Sequence, residues 1–261
     1  MDTNGPEAWY AGLPRITRAM ITFTFIITVA TTFQLIPQHS LLLNWQVIRE
    51  KYHIHRILLS CLYAGPFSLK WVLHIYMFSQ FSSLLEKNAV FANSVGSYLY
   101  FILLQIAMVT LISLAFYWPV GYPVLSDSIL FAIVYYWSKR DMWNSVSIYF
   151  FTVKAYQLPF AMLFFNFIMG APTLVHIIGL ISGHAYYFLR EVVPTKGYPN
   201  LLATTPRILD YIAKKLETML TFHGSVSPSV HPMGPYIYHP ASRQNAPSPG
   251  FMGRGIRLGT R

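Results

Sequence analysis

Charge is scarce in this chain. Only 11% of its 261 residues are Asp, Glu, Lys or Arg, against about 25% in an ordinary soluble domain. That shortfall, with a mean hydropathy of +0.42, excludes a water-soluble globule and implies an integral membrane protein. Cysteine is nearly absent: Cys61 stands alone, so intramolecular disulfides and cysteine-built metal sites are excluded. The two halves carry no internal repeat, which counts against a small-solute transporter. The first 18 residues are polar, and the apolar run behind them lacks a small-residue cleavage pattern. The first apolar helix is therefore expected to serve as an uncleaved insertion signal.

What the chain has instead is apolar bulk: 54% of it is hydrophobic and 16% aromatic. Six apolar segments are predicted to cross a bilayer as helices, at 19–36, 68–85, 98–118, 124–137, 155–169 and 173–190. A crossing needs about 20 residues at 1.5 Å each, so several of these are short, and the fifth is interrupted by Pro159. Residues 38–67 mix aromatics with charge and are expected to form an interfacial loop holding a half-buried helix. Residues 145–153 are also read as interfacial, which lets Lys154 snorkel to the membrane face.

Orientation follows from the connections. The short ones at 119–123 and 170–172 hold no Lys or Arg, whereas Arg15, Arg18, Lys87, Lys139, Arg140 and Arg190 flank the opposite ends. Cytoplasmic flanks collect Lys and Arg, so both termini are placed in the cytosol. Arg49, Lys51 and Arg56 in the long first loop run against that rule. The net charge of +10 is concentrated at these flanks and in the tail, where eight Lys and Arg follow Glu191 against Asp210 and Glu217. Topology explains this excess, and a nucleic-acid partner is not expected. Within the tail, 206–220 is expected to form a short amphipathic helix lying on the membrane. From 224 onward the Ser-, Pro- and Gly-rich composition cannot bury a core and is expected to be disordered.

The segment 173–190 holds the sharpest features. Gly179 and Gly183, four apart, form a small-residue ridge that lets another helix approach closely, so the sixth helix is read as the packing post of the bundle. His184 is placed to hydrogen-bond across helices, and Gln80 and Gln105 are read as interhelical glue. Asp127, Ser128 and His176 lie at a similar shallow depth on the non-cytosolic side. A serine activated by a histidine is a route to peptide hydrolysis. The plainer reading makes Ser126 or Asp127 a helix cap, makes Thr173 the cap of the sixth helix, and leaves His176 as packing. His53, His55 and His74 are scattered, and no metal or other cofactor is expected. Arg56 is read either as a headgroup anchor or as an ordinary snorkelling residue.

Taken together, IHRILLSCLYAGPFS at 54–68, HIYMFSQFSSLLE at 74–86, YYWSKR at 135–140, VKAYQLPFAMLFFNFIMG at 153–170 and GLISGHAYYFL at 179–189 resemble the Derlin family. These are rhomboid-like pseudoproteases of endoplasmic-reticulum-associated degradation. The resemblance implies an all-α, rhomboid-like bundle of six transmembrane helices over 19–191. A cytosolic segment at 1–18, a membrane-proximal segment at 192–223 and a disordered cytosolic tail at 224–261 complete the chain. The tail sequence FMGRGIRLG matches the family's box for docking the valosin-containing AAA ATPase, through Phe251, Gly253, Gly255, Leu258 and Gly259.

Two departures stand out. His55-Arg56 occupies the place of the family's Trp-Arg pair, which weakens the headgroup-anchoring role. His176 and Ser128 fall at the positions of the rhomboid catalytic histidine and nucleophile. The tetrad Ser126-Asp127-Ser128-Ile129, however, lacks the glycines that flank an active serine, and Ile129 would crowd the approach of a substrate backbone. Non-enzymatic service in the unfolded protein response and in retrotranslocation of misfolded proteins is therefore expected, with the bilayer, the ATPase, a ubiquitin-ligase complex and misfolded clients as partners. Assembly as a homo- or hetero-oligomer is left open. The alternative is an active intramembrane serine protease using Ser128 and His176.

Overall fold

A computed structural model describes residues 5–92, 94–148, 151–197, 202 and 206–220. The chain is mostly helical. Helix α1 (Pro6–Ala11) leads into α2 (Arg15–Thr32). The first loop holds α3 (Trp45–Lys51) and α4 (His55–Leu62), followed by α5 (Leu69–Glu86), the one-turn α6 (Ala89–Ala92) and α7 (Val95–Phe116). Next come α8 (Ser126–Arg140), α9 (Leu158–Ile168) and α10 (Thr173–Tyr187), which continues as a π-helical turn over Phe188–Val192. The short α11 (Val193–Thr195) and then α12 (Arg207–Leu220) close the described chain.

Each of the six apolar segments overlaps one of the helices α2, α5, α7, α8, α9 and α10. Among the described residues, Gly96–Phe116 of α7 is the one helix long and apolar enough to cross a bilayer by length and composition. Helices α8 and α10 have 15 residues and α9 has 11. At 1.5 Å per residue, α8 rises roughly 22 Å, less than the ~30 Å hydrocarbon core.

The centre of the bundle is α8. Eleven of its 15 residues are buried, on every side of the helix, and it touches α4, α5, α7, α9 and α10. A helix buried all round is a core helix rather than an amphipathic one. This shifts the sequence reading, which made the sixth segment the post: α10 is a buttress, and the fourth segment is what it leans on. The outward faces stay apolar, with Phe25 and Ile26 of α2, Val72 of α5, Leu111 of α7 and Phe160 and Phe164 of α9 exposed. Large exposed apolar faces mark contact with lipid or with partners.

Three local expectations are corrected. The fold is not purely helical, because Ser145–Ile148 (β1) pairs antiparallel with Phe151–Lys154 (β2), Val146 opposite Val153. Val146 and Ile148 point inward while Ser145 and Ser147 face out, the alternation that a half-buried strand requires. Pro159 does not break the fifth helix; it sits in its first turn, where a missing N–H removes no internal bond. Finally, Pro172 and not Thr173 precedes the first residue of α10, with no side-chain cap.

Antiparallel neighbours share a cap at the end of α5. The Glu86 carboxylate accepts from the backbone N–H groups of Ile16 (2.9 Å) and Thr17 (2.8 Å) and from the Thr17 hydroxyl (2.7 Å). An acid at the C-terminus of its own helix opposes that helix's dipole. Here it lies beside the N-terminus of α2, whose first amides have no intrahelical partner. Glu86→Ala is expected to lower stability by about 2 kcal/mol, read as the thermal unfolding midpoint in detergent. Glu86→Gln should lower it less, because its amide oxygen still accepts.

Candidate functional site: a carboxylate among three helices

Asp127 lies in the first turn of α8, but the residue preceding that helix is Leu125 and no side chain caps it. The carboxylate is thus free of the capping role expected for it and points across to α5. Its Oδ1 accepts from His74 Nδ1 at 2.9 Å and its Oδ2 from Lys70 Nζ at 2.9 Å. Since an ionised carboxylate only accepts, the proton of the first bond sits on His74 Nδ1. His176 of α10 brings its Nε2 to 4.0 Å from Oδ2. One acid therefore joins the starts of three helices: α5, α8 and α10.

Lys70 and His74 are four residues apart, on one face of α5. That spacing was the available signal for this pair, and sequence reasoning passed over it by grouping His74 with the loop histidines. Lys70 is 55% exposed at its side chain, whereas His74 is 7% and Asp127 15% exposed. The cluster is open at the lysine and closed around the histidines. His74 stacks on Phe78, and the His176 ring lies 4.5 Å from that of Phe131.

Ser128 and His176 are brought close without forming a catalytic pair. The Ser128 hydroxyl donates to the carbonyl oxygen of Val175 at 2.6 Å, one residue before His176. Both side chains are buried, and His176 is turned toward Asp127. A general base must lie within hydrogen-bond reach of the proton it abstracts, and in this arrangement the serine proton is held by a backbone carbonyl. Ile129 is buried in the core beside it. Among the described residues no group of three His, Cys, Asp or Glu side chains is arranged to hold a metal ion.

The glycine ridge lies against the same side of α8 over two consecutive turns. A Cβ on Gly179 would meet the Ser128 carbonyl oxygen and come within 2.8 Å of Phe131 Cβ. One on Gly183 would lie 2.8 Å from the Ala132 carbonyl oxygen and 3.1 Å from Ala132 Cα. Two further bonds hold α10, one to α8 and one to α7. Tyr135 and His184 Nδ1 meet at 2.7 Å, and Ser182 donates to Gln105 Oε1 of α7 at 2.5 Å. At the far end of α8, Glu191 accepts from the Tyr136 hydroxyl (2.9 Å) and from Arg140 (3.0 Å).

In the first loop His55 is exposed. Arg56 turns inward, its Nη1 donating to the carbonyls of His39 (2.9 Å) and Leu42 (3.2 Å). The guanidinium thus staples the loop's own backbone. The tail box at Phe251, Gly253, Gly255, Leu258 and Gly259 lies outside the described residues.

Known proteins resemble this chain in sequence over most of its length. The model of the Der1-like family matches residues 13–207. Derlin-2.2 of Arabidopsis thaliana is 33% identical over 196 residues, covering 72% of this chain and 80% of the relative. Derlin-2.1 of Zea mays is 31% identical over 201 residues, 72% of this chain and 78% of the relative. Derlin-1.1 of Zea mays is 26% identical over 259 residues, 98% and 99% of the two chains. With the family model spanning every helix from α2 to α11, and relatives aligned over most of their own length, the chain belongs to the Der1-like family.

Proposed function

We propose that this protein is a non-catalytic, rhomboid-like membrane protein of the endoplasmic reticulum that helps misfolded luminal and membrane proteins reach the cytosol for degradation. Family membership supports the cellular role. The observation that carries the non-catalytic half is the Ser128 hydroxyl donating to Val175 while His176 faces Asp127. In this reading α2, α5, α7, α8, α9 and α10 are six crossings, with both termini in the cytosol. Short helices such as α8 and α9 make a locally thinner bilayer favourable, and thinning lowers the free energy of carrying a polar chain across. The box at 251–259 recruits the valosin-containing ATPase, which supplies the pulling work, and a ubiquitin-ligase complex receives the client.

Deleting 251–261 is expected to abolish co-purification of the ATPase while membrane insertion is retained; unchanged recovery would remove the box from the proposal. Purified protein incubated with a transmembrane reporter should leave it intact. Cleavage that disappears in Ser128→Ala would replace this reading with that of an intramembrane serine protease.

A further inference from the structure

Helix α12 presents two opposite faces. Asp210 and Ala213 form the inner one. The Asp210 carboxylate accepts from the Ser94 hydroxyl (2.5 Å) and from the Gly96 backbone N–H (3.0 Å), and Ala213 is buried in the main core. Gly96 makes this approach feasible, since a Cβ there would lie 2.7 Å from the Asp210 nitrogen and 2.9 Å from its Cα. An acid from one helix thus caps the N-terminus of another, where the free amides and the dipole both favour negative charge.

The outer face carries Ile208, Tyr211 and Ile212, which are 72%, 68% and 45% exposed. At 3.6 residues per turn these three and the exposed Lys215 form one stripe, half a turn from Asp210 and Ala213. A helix that only docked on the bundle would bury its apolar residues there. This one instead turns Ile208, Tyr211 and Ile212 away and is held by the Asp210 carboxylate and Ala213.

We propose that this stripe is a membrane-surface contact whose partner is the anionic cytosolic leaflet, and that Asp210 holds it at headgroup depth. The inference rests on the membrane reading above. Depth is the first argument: the apolar span of α7 begins at Gly96, the residue that Asp210 caps, so α12 lies where hydrocarbon gives way to headgroups. Chemistry is the second. An apolar stripe flanked by lysine is what an interfacial helix presents to lipid, and anionic lipid attracts basic juxtamembrane segments. Within α12 itself Arg207, Lys214 and Lys215 stand against Asp210 and Glu217, and Asp210 is turned inward on Gly96, which matches that partner.

The test uses the full chain reconstituted in liposomes. Ile212→Cys carries an environment-sensitive fluorophore, with Ile208→Cys as a second position. Cys61 is buried, and the unsubstituted protein serves as the labelling blank. Emission is expected to shift to the blue, and spin-labelled lipid to quench it several-fold more strongly than aqueous iodide. The difference should be larger in phosphatidylcholine vesicles containing phosphatidylserine than in phosphatidylcholine alone. Strong iodide quenching with no effect of the labelled lipid, in protein that resists alkaline extraction, would overturn the contact and leave the stripe to water or to a protein. Loss of the protein itself to the alkaline wash would overturn the membrane reading, and this proposal with it.

Discussion

Gly179→Val is expected to destabilise the bundle by about 3 kcal/mol. The first added carbon would run into the Ser128 carbonyl oxygen and sit within 2.8 Å of Phe131 Cβ. Neither obstacle is the end of a flexible side chain, so rotamer changes give no relief. The helices have to separate, and separation breaks the seam they share: the Ser128 bond to Val175 and the contact of Tyr135 with His184. Because α8 is the core helix, strain there reaches every neighbour. Gly183→Ala should be milder, since its contact with the Ala132 carbonyl oxygen is looser, at 2.8 Å. Thermal unfolding in detergent orders the two variants, and equal, small shifts would refute the close approach at Gly179.

Asp127→Ala should have a similar effect, about 3 kcal/mol, because removing one member of a largely buried charge cluster leaves the others without a partner. His74, almost fully buried, loses the acceptor of its Nδ1 proton, and His176 loses its nearest charge. Lys70→Ala provides the contrast. Its ammonium is more than half exposed, where solvent screening leaves an ion pair worth about 0–1 kcal/mol. If Lys70→Ala and Asp127→Ala shift the unfolding midpoint equally, the histidines contribute nothing and the cluster is a surface ion pair. A His74→Ala variant that tracks Asp127→Ala places the coupling between α5 and α8.

Much of this architecture can be read along the chain, for a local reason. Apolar runs bounded by proline, glycine and charge form helices wherever they are placed, so the helical segments fall close to where composition puts them. Their ends do not: α2 begins at Arg15, four residues before the apolar run, because Glu86 supplies the cap that its first turn lacks. The hairpin at Ser145–Ile148 and Phe151–Lys154 has the alternation of paired strands. Along the chain 145–153 reads as interfacial instead, because that lets Lys154 snorkel to the membrane face.

The site divides in the same way. Ser128, His176 and Asp127 can be picked out on the depth of their helices alone, and Gly179 with Gly183 on their spacing. What each of them faces depends on how α5, α8 and α10 are rotated about their axes. That rotation set Asp127 toward Lys70 and His74 and the Ser128 proton on a backbone carbonyl.

Residue composition and order were sufficient for membrane character, for the helical segments, for the glycine ridge and for the family motifs. All of these are encoded within a few turns of chain. The central place of α8, the acid shared by three helices and the capping of α7 by Asp210 join residues far apart in the chain, 53 positions for His74 with Asp127 and 114 for Gly96 with Asp210. Such contacts are set when packing selects one rotation and tilt for each helix, and a repeat of 3.6 residues shows which face is apolar without showing which neighbour that face will meet.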